Sequence, residues 1–358
     1  MNQLTSFLDE VATESHLRVE TDLGDGFVRL RTDEAERRQA AHDIRTNEDM
    51  IIELLRNSRD AHARNIFLAF AKSGDDRVVV VVDDGDGIPA HMHERVFEPR
   101  VTSKLDSMHL DKWGIHGRGM ALYAVKVNAR ESRICCSAPG KGCSLYARTN
   151  PDKVVEKADQ STFPTFILKD GGKVTVKGPK NILRTACEFA LEHRSSVSLY
   201  VGSISQIAAT LYEFGCATIS SVERAFGDGR QDSAVVKRLA FARDCQEFAQ
   251  IAHELGLDMS ERSARRIMDG EVRPAPEIKE LITFVDQREQ AAAPAKTPRK
   301  RTSGGIRFAP EDLSRFKDTV ARAYAELADA YYLESDPHIV VQKRSDALHI
   351  SIPLYPNS

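Results

Sequence analysis

The chain has 358 residues, 41% of them hydrophobic and 29% charged, and its 50 Lys and Arg against 53 Asp and Glu give a net charge of -3. A chain of this length can bury at least one sizeable core and suggests two or three domains, while the near balance of charge excludes a polycation built to coat nucleic acid or anionic lipid. No apolar run approaches the roughly 20 residues needed to cross a bilayer, and "MNQLTSFLDEVATES" lacks the basic start and apolar middle of a signal peptide, so a cytoplasmic protein with no membrane contact is expected.

In chain order, the first informative stretch is "ELLRNSRDA", residues 53–61. Glu53, Asn57 and Asp60 fall at i, i+4 and i+7 of a predicted helix and share one face, with Ile51, Ile52, Leu54 and Leu55 on its apolar flank. A solvated charged stripe would look the same, so the neighbours decide. "NIFLAF" (65–70) and "RVVVVVDD" (77–84) flank a short turn with Gly74 and read as a β-hairpin whose valine run is buried on both faces. In "DDGDGIP", Gly85 and Gly87 allow a tight turn and leave no side chain in the way of a flat ligand, and Asp83 ends the strand with a carboxylate aimed at that gap. In "GIHGRGMALYAVKVNA" (114–129), Gly114, Gly117 and Gly119 open onto a helix carrying Met120, Ala121, Ala124, Val125 and Asn128. A glycine loop at a helix N-terminus is anion-binding geometry, although tight packing also demands glycine.

Six cysteines without a C-x-x-C pair point to neither a disulfide framework nor a zinc site, and the adjacent Cys135 and Cys136 read as buried thiols. His91 and His93 lack further ligands at convincing spacing for a metal. Beyond residue 155, "KVTV", "ILRTACEFALEHR", "SVSLYVG" and a helix to Gly215 give a strand, helix, strand, helix order, read as a smaller α/β region over 156–230. Residues 231–288 are read as helical. Within them "FAQIAHELGLDMSERSARRIMDGEVRPAP" resembles a helix-turn-helix, with Gly256 at the turn, Ser260 as N-cap, and Arg262, Arg265 and Arg266 on the second helix as candidate DNA contacts. The four acids beside four arginines from Asp258 to Arg273 weigh against phosphate binding, and plain helix packing is the alternative. A basic, Ala/Pro-rich linker over 289–305, with Lys296, Arg299, Lys300 and Arg301, leads to a small α+β module over 306–358.

Together and in this order, the motifs within residues 53–123 resemble those of the GHKL superfamily of ATP-binding proteins, which includes gyrase B subunits, mismatch-repair MutL proteins, type IIB topoisomerases, heat-shock chaperones and histidine kinases. "ELLRNSRDA" resembles the N box, "DDGDGIP" and "GIHGRGMALY" the two glycine boxes, and "FEPRVTSK" the segment around the kinases' F box. The resemblance covers about 40–150. It implies an α+β fold, a Bergerat-type ATP-binding sandwich over 1–155 with helices on one face of a mixed, mainly antiparallel sheet. It also implies ATP and Mg2+ as cofactors, with Asn57 on the metal and Asp83 on the adenine amino group. Asp60 and Ala61 would stand near the base, Gly85, Gly87 and Ile88 would line the slot, and Thr102, Ser103 and Lys104 would open a lid over 89–116 that holds Trp113. The stretch His116, Gly117, Arg118, Gly119, Met120, Ala121 and Leu122 would close on the phosphates.

Glu53, four residues before Asn57, matches the hydrolysing, gyrase-like members and would be the catalytic base. The expected function is therefore an ATPase whose lid closure and N-terminal homodimerisation drive downstream domains, on DNA or with a separate protein partner. In such families a lysine from a following transducer domain reaches the γ-phosphate; Lys173, Lys177 and Lys180 are candidates that no motif distinguishes. The alternatives are a histidine-kinase-like signalling protein and an ATP-sensing DNA-binding regulator. The kinase reading is weakened at "AAHDIRT", because only 15 residues (57 minus 42) separate His42 from Asn57, too few for the kinases' upstream hairpin.

Overall fold

The computed structural model describes residues 19–103, 109–111, 114–116, 119–156, 159–168, 174–220, 231–282 and 284–286, with shorter stretches between 314 and 352. The chain divides into two units, Met1–Gln290 and Ala291–Ser358. The first holds strands β1 (Val19–Gly24) and β2 (Phe27–Leu30), helices α1 (Glu34–Asp43) and α2 (Asn47–Asp60), and strands β3 (Asn65–Ser73), β4 (Asp76–Asp83), β5 (Val101–Thr102), β6 (His109–Asp111) and β7 (Gly114–His116). There follow helix α3 (Ala121–Asn128), strands β8 (Ala129–Ser137), β9 (Cys143–Thr149), β10 (Thr165–Leu168) and β11 (Val174–Lys177), and helix α4 (Ile182–Glu192). Strand β12 (Ser198–Gly202), helices α5 (Ile204–Thr218), α6 (Cys245–Glu254) and α7 (Glu261–Met268), and strand β13 (Phe284–Asp286) complete it. In the second unit, strands β14 (Val340–Arg344) and β15 (Ala347–Ser351) form an antiparallel pair.

Local chemistry fixes the helix starts. Thr46 and Asp49 form a reciprocal capping box at α2, Ser203 and Gln206 another at α5, and Asp244 and Ser260 cap α6 and α7 through their side chains. Each such cap satisfies N–H groups that the first helical turn leaves open, worth about 1 kcal/mol.

The central sheet has five strands in the order β12-β3-β4-β9-β8. β12 runs parallel to β3, and the other pairs are antiparallel, so the sheet is mixed and mainly antiparallel and the fold class is α+β. All eight residues of β4 are buried, and the alternation of its side chains sends them to two different cores. Val79 and Val81 join Ile66, Leu68 and Leu145 against Leu54 and Leu55 of α2, Val125 of α3 and Phe189 of α4. Val78, Val80 and Val82 join Phe67 and Tyr146 against Leu211 of α5, Phe248 and Ile251 of α6 and Ile267 of α7. The valine run is thus buried on both faces, as its composition requires.

This arrangement corrects the expected domain boundaries at 155 and 230. β12, placed by sequence in a second domain, hydrogen-bonds along β3 from Ser198 opposite Asn65 to Gly202 opposite Ala69. The expected helical region of 231–288 contributes α6 and α7 to the second face of the same sheet. A sheet needs partners for its edges and cover for its apolar faces, and neither requirement respects order along the chain. A smaller sheet, β11-β10-β13, belongs to the same unit, with β13 parallel to β10.

Candidate nucleotide site

Helix α2 presents its polar residues where β4 ends. Glu53 ion-pairs with Arg56 one turn on; their side chains are 20% and 4% exposed. Asn57 is half-buried, and Ser58 is buried. The Ser58 hydroxyl donates to Asp83 Oδ2 at 2.7 Å, and the Gly85 N–H donates to Oδ1 at 3.0 Å. Asp83 is 5% exposed, and a carboxylate taken that far from water is tolerated only with donors in place. These donors, one on each oxygen, hold the carboxylate in one orientation. Ser58 was missed in the sequence; its signal was the position beside Asn57, turned from the stripe toward the sheet.

Asp60 departs from the expected stripe. Its Oδ1 accepts from Arg59 Nε at 2.9 Å and Nη2 at 2.7 Å, and Arg59 Nη1 lies 3.1 Å from Nε2 of His193, the C-cap of α4. A guanidinium competes strongly for a carboxylate, so Asp60 is held by Arg59, which in turn ties the end of α2 to α4.

The turn after β4 is built by main-chain contacts. The Ala61 carbonyl accepts from Asp86 N–H at 2.8 Å, and Asp84 Oδ1 accepts from both Arg64 and Asn65 N–H at 2.8 Å, fixing the start of β3 to the end of β4. A Cβ on Gly85 would lie 2.5 Å from the Ala61 carbonyl oxygen, and one on Gly87, where φ is +73°, would lie 2.0 Å from that of Ala138. These glycines are required for backbone approach, in keeping with the tight turn expected of them. Ser137 Oγ accepts from Ile88 N–H at 2.8 Å and donates to the Gly142 carbonyl at 2.7 Å, and Ile88 packs half-buried on the core. Cys143 is the register partner of Asp83; burial and then the Asp83 charge push its thiol well above the ordinary range, so it stays a neutral S–H.

The expected lid begins too early. Met92 is 0% and Phe97 2% exposed, and with Val96 and Val101 they belong to the core, so residues 89–102 are anchored. β5 pairs with β2, Leu30 N–H donates to the Arg100 carbonyl at 3.0 Å, and the Arg100 side chain ion-pairs with Glu36. A Cβ on Gly119 would come within 3.2 Å of Thr102 Cβ, so the two ends of the segment between them meet. Thr102 is half-buried and Ser103 exposed. Lys104, Trp113, Gly117 and Arg118 lie outside the described residues, and His116 is described only as main chain in β7. Met120 is the N-cap of α3 and makes no side-chain cap bond, and Ala121 and Leu122 form its first turn, so the N-cap residue leaves the first N–H groups of α3 uncapped by its side chain.

Elsewhere, Arg262, Arg265 and Arg266 are exposed on α7 while Ala264 and Ile267 are buried, and Arg266 pairs with Glu271 at 2.9 Å. α7 covers the sheet face opposite α2. Lys177 and Lys180 are exposed, and Lys173 lies outside the described residues. His93 Nε2 lies 3.1 Å from the Ile88 carbonyl oxygen, and His42 is exposed on α1.

Residues 42–153 match the family model described as histidine kinase-, DNA gyrase B-, and HSP90-like ATPase. The chain is similar to DNA mismatch repair protein MutL of Thermus thermophilus, with 41% identity over 88 residues, 24% of this chain and 15% of that protein. It is 32% identical to MutL of Clostridium beijerinckii over 146 residues, 41% and 19% of the two chains. With MutL of Limosilactobacillus reuteri the identity is 37% over 112 residues, 30% and 17% of the two chains. The chain therefore matches less than a fifth of the length of each of these curated relatives.

Proposed function

With residues 42–153 forming a domain of the histidine kinase-, DNA gyrase B- and HSP90-like ATPase family, we propose that this chain binds ATP with Mg2+ and hydrolyses it. The observation that carries the reading is the buried Asp83 carboxylate, oriented by Ser58 and Gly85 beside the polar face of α2. Asp83 accepts the adenine amino group, which distinguishes adenine from a base with a carbonyl at that position. Ile88 gives the base an apolar contact, and the main chain of Gly119 to Leu122 opens the first turn of α3 to the phosphates.

The donor chemistry of Asn57 fits magnesium, which takes few protein ligands and prefers hard oxygen, and its half-buried amide supplies one. Magnesium, when bound, offsets the charge of the triphosphate. Glu53 orients a water and accepts its proton. Glu53→Ala should lower turnover by at least about a hundredfold while ATP still binds; wild-type phosphate release by that variant would overturn the assignment.

Beyond the nucleotide, we propose ATP-linked homodimerisation and coupling to DNA. Similarity to DNA mismatch repair proteins and the three exposed arginines of α7 support the coupling to DNA. A gel shift on random duplex DNA, with and without nucleotide, tests it, and substitution of all three arginines by Ala should abolish the shift. A shift retained by that triple variant would reject the α7 interface.

A further inference from the structure

Arg56 is a buried charge that the proposed reaction leaves unused. It stands on α2 between Glu53 and Asn57 with a side chain only 4% exposed. An arginine on a helix ordinarily carries its head into water along a flexible stem; here the guanidinium is kept inside and ion-paired with Glu53. Buried ion pairs are poor devices for stability, because apolar residues of similar volume commonly serve as well or better. The pairing joins a cation to the carboxylate assigned as base, one residue before the proposed metal ligand.

We infer that Arg56 is a positioning residue for ATP hydrolysis: it fixes the direction of the Glu53 carboxylate toward the attacking water. This rests on the reading of Glu53 given above. In the step, the water oxygen bonds to the γ-phosphorus and the bond from that phosphorus to the β,γ-bridging oxygen breaks. The water proton passes to Glu53, and ADP and phosphate leave. Arg56 touches none of the reacting atoms. Its effect is confined to the group that takes the proton.

The test uses the full chain with Arg56→Gln and Arg56→Lys, each alone and combined with Glu53→Ala, read by steady-state ATP turnover and by calorimetric ATP binding. Arg56→Gln should lower kcat about ten- to a hundredfold with KM changed less than about twofold, since small errors in the placement of a reacting group cost rate more than affinity. Arg56→Lys should recover most of that loss. In the Glu53→Ala background, Arg56→Gln should remove little further residual turnover, because the pair acts as one unit. An unchanged kcat in a folded Arg56→Gln variant, or the same fold-loss with and without Glu53, would overturn the inference. Should Arg56→Gln fail to fold, Arg56→Lys decides alone: turnover near the wild-type rate supports the inference, and a loss as large as that of Glu53→Ala overturns it. Full turnover by Glu53→Ala would instead remove the reading on which the inference stands.

Discussion

The two faces of the five-stranded sheet bury different kinds of chemistry. Against one face, α2 encloses Arg56 and Ser58 beside the buried Asp83, together with an apolar core. Against the other, α5, α6 and α7 enclose Leu211, Phe248, Ile251, Leu255 and Ile267, with Val78, Val80 and Val82 beneath them. Burying polar groups lowers stability unless each finds its partners, whereas burying an aliphatic or aromatic side chain contributes about 1.5–3 kcal/mol. Both layers pack on the same five strands, so the sheet beneath the costlier face is also held from its other side.

The largest test is to cut the second layer away. A chain ending at residue 155 loses β12 and the whole second layer of α5 to α7, together with α4 of the first, leaving β3 without its edge partner and Phe67, Val80 and Val82 open to water. It should be insoluble or lack a cooperative thermal transition. A soluble 1–155 fragment that melts cooperatively would show that the second face is dispensable. A smaller cut at the same layer is Phe248→Ala, which empties a fully buried site and should destabilise the chain by about 3–5 kcal/mol in urea titrations. Below its melting temperature this variant should retain wild-type ATP affinity; a large loss of affinity would mean that the two faces are not separable.

On the polar face the expectation inverts. Ser58→Ala removes one donor from Asp83 and should cost about 1–3 kcal/mol of stability, yet weaken ATP binding about tenfold or more. A smaller effect follows from the thiols. Burial pushes Cys135 up to about 11 and Cys187 up to about 12. Above about pH 8.5 the unfolded chain releases thiol protons that the native chain keeps, so the unfolded state binds fewer protons and stability falls as pH rises. Melting temperature should decline between about pH 8.5 and 10.5, with a shallower decline in a Cys135→Ala, Cys187→Ala double variant.

Much of the candidate site can be read from the sequence because its residues lie in short contiguous runs. Glu53, Asn57 and Asp83 announce themselves by spacing and by the glycines that follow, and the hairpin of β3 and β4 is read from its valines and Gly74. Less legible was anything that depends on partners distant in sequence. Asp60 looks equivalent to its neighbours on the stripe, and nothing in its spacing shows that Arg59, itself in contact with the distant His193, pairs with it. Met92 and Phe97 looked like lid residues because a short apolar segment with no periodicity gives no sign of anchoring. The valine run already stated that both sheet faces are covered, but nothing in it names the cover. That came from α5 to α7, more than 100 residues downstream.

The central claim is that Asp83, oriented by Ser58 and Gly85, grips the adenine of a magnesium nucleotide held at Asn57. Isothermal titration of the full chain with Mg2+ and a non-hydrolysable ATP analogue tests it most directly, beside the same titration of Asp83→Asn. Saturable heat with one site per chain in the wild type, abolished in the variant, is the predicted result. Absence of heat from the folded wild-type chain, or unchanged affinity in Asp83→Asn, would contradict it.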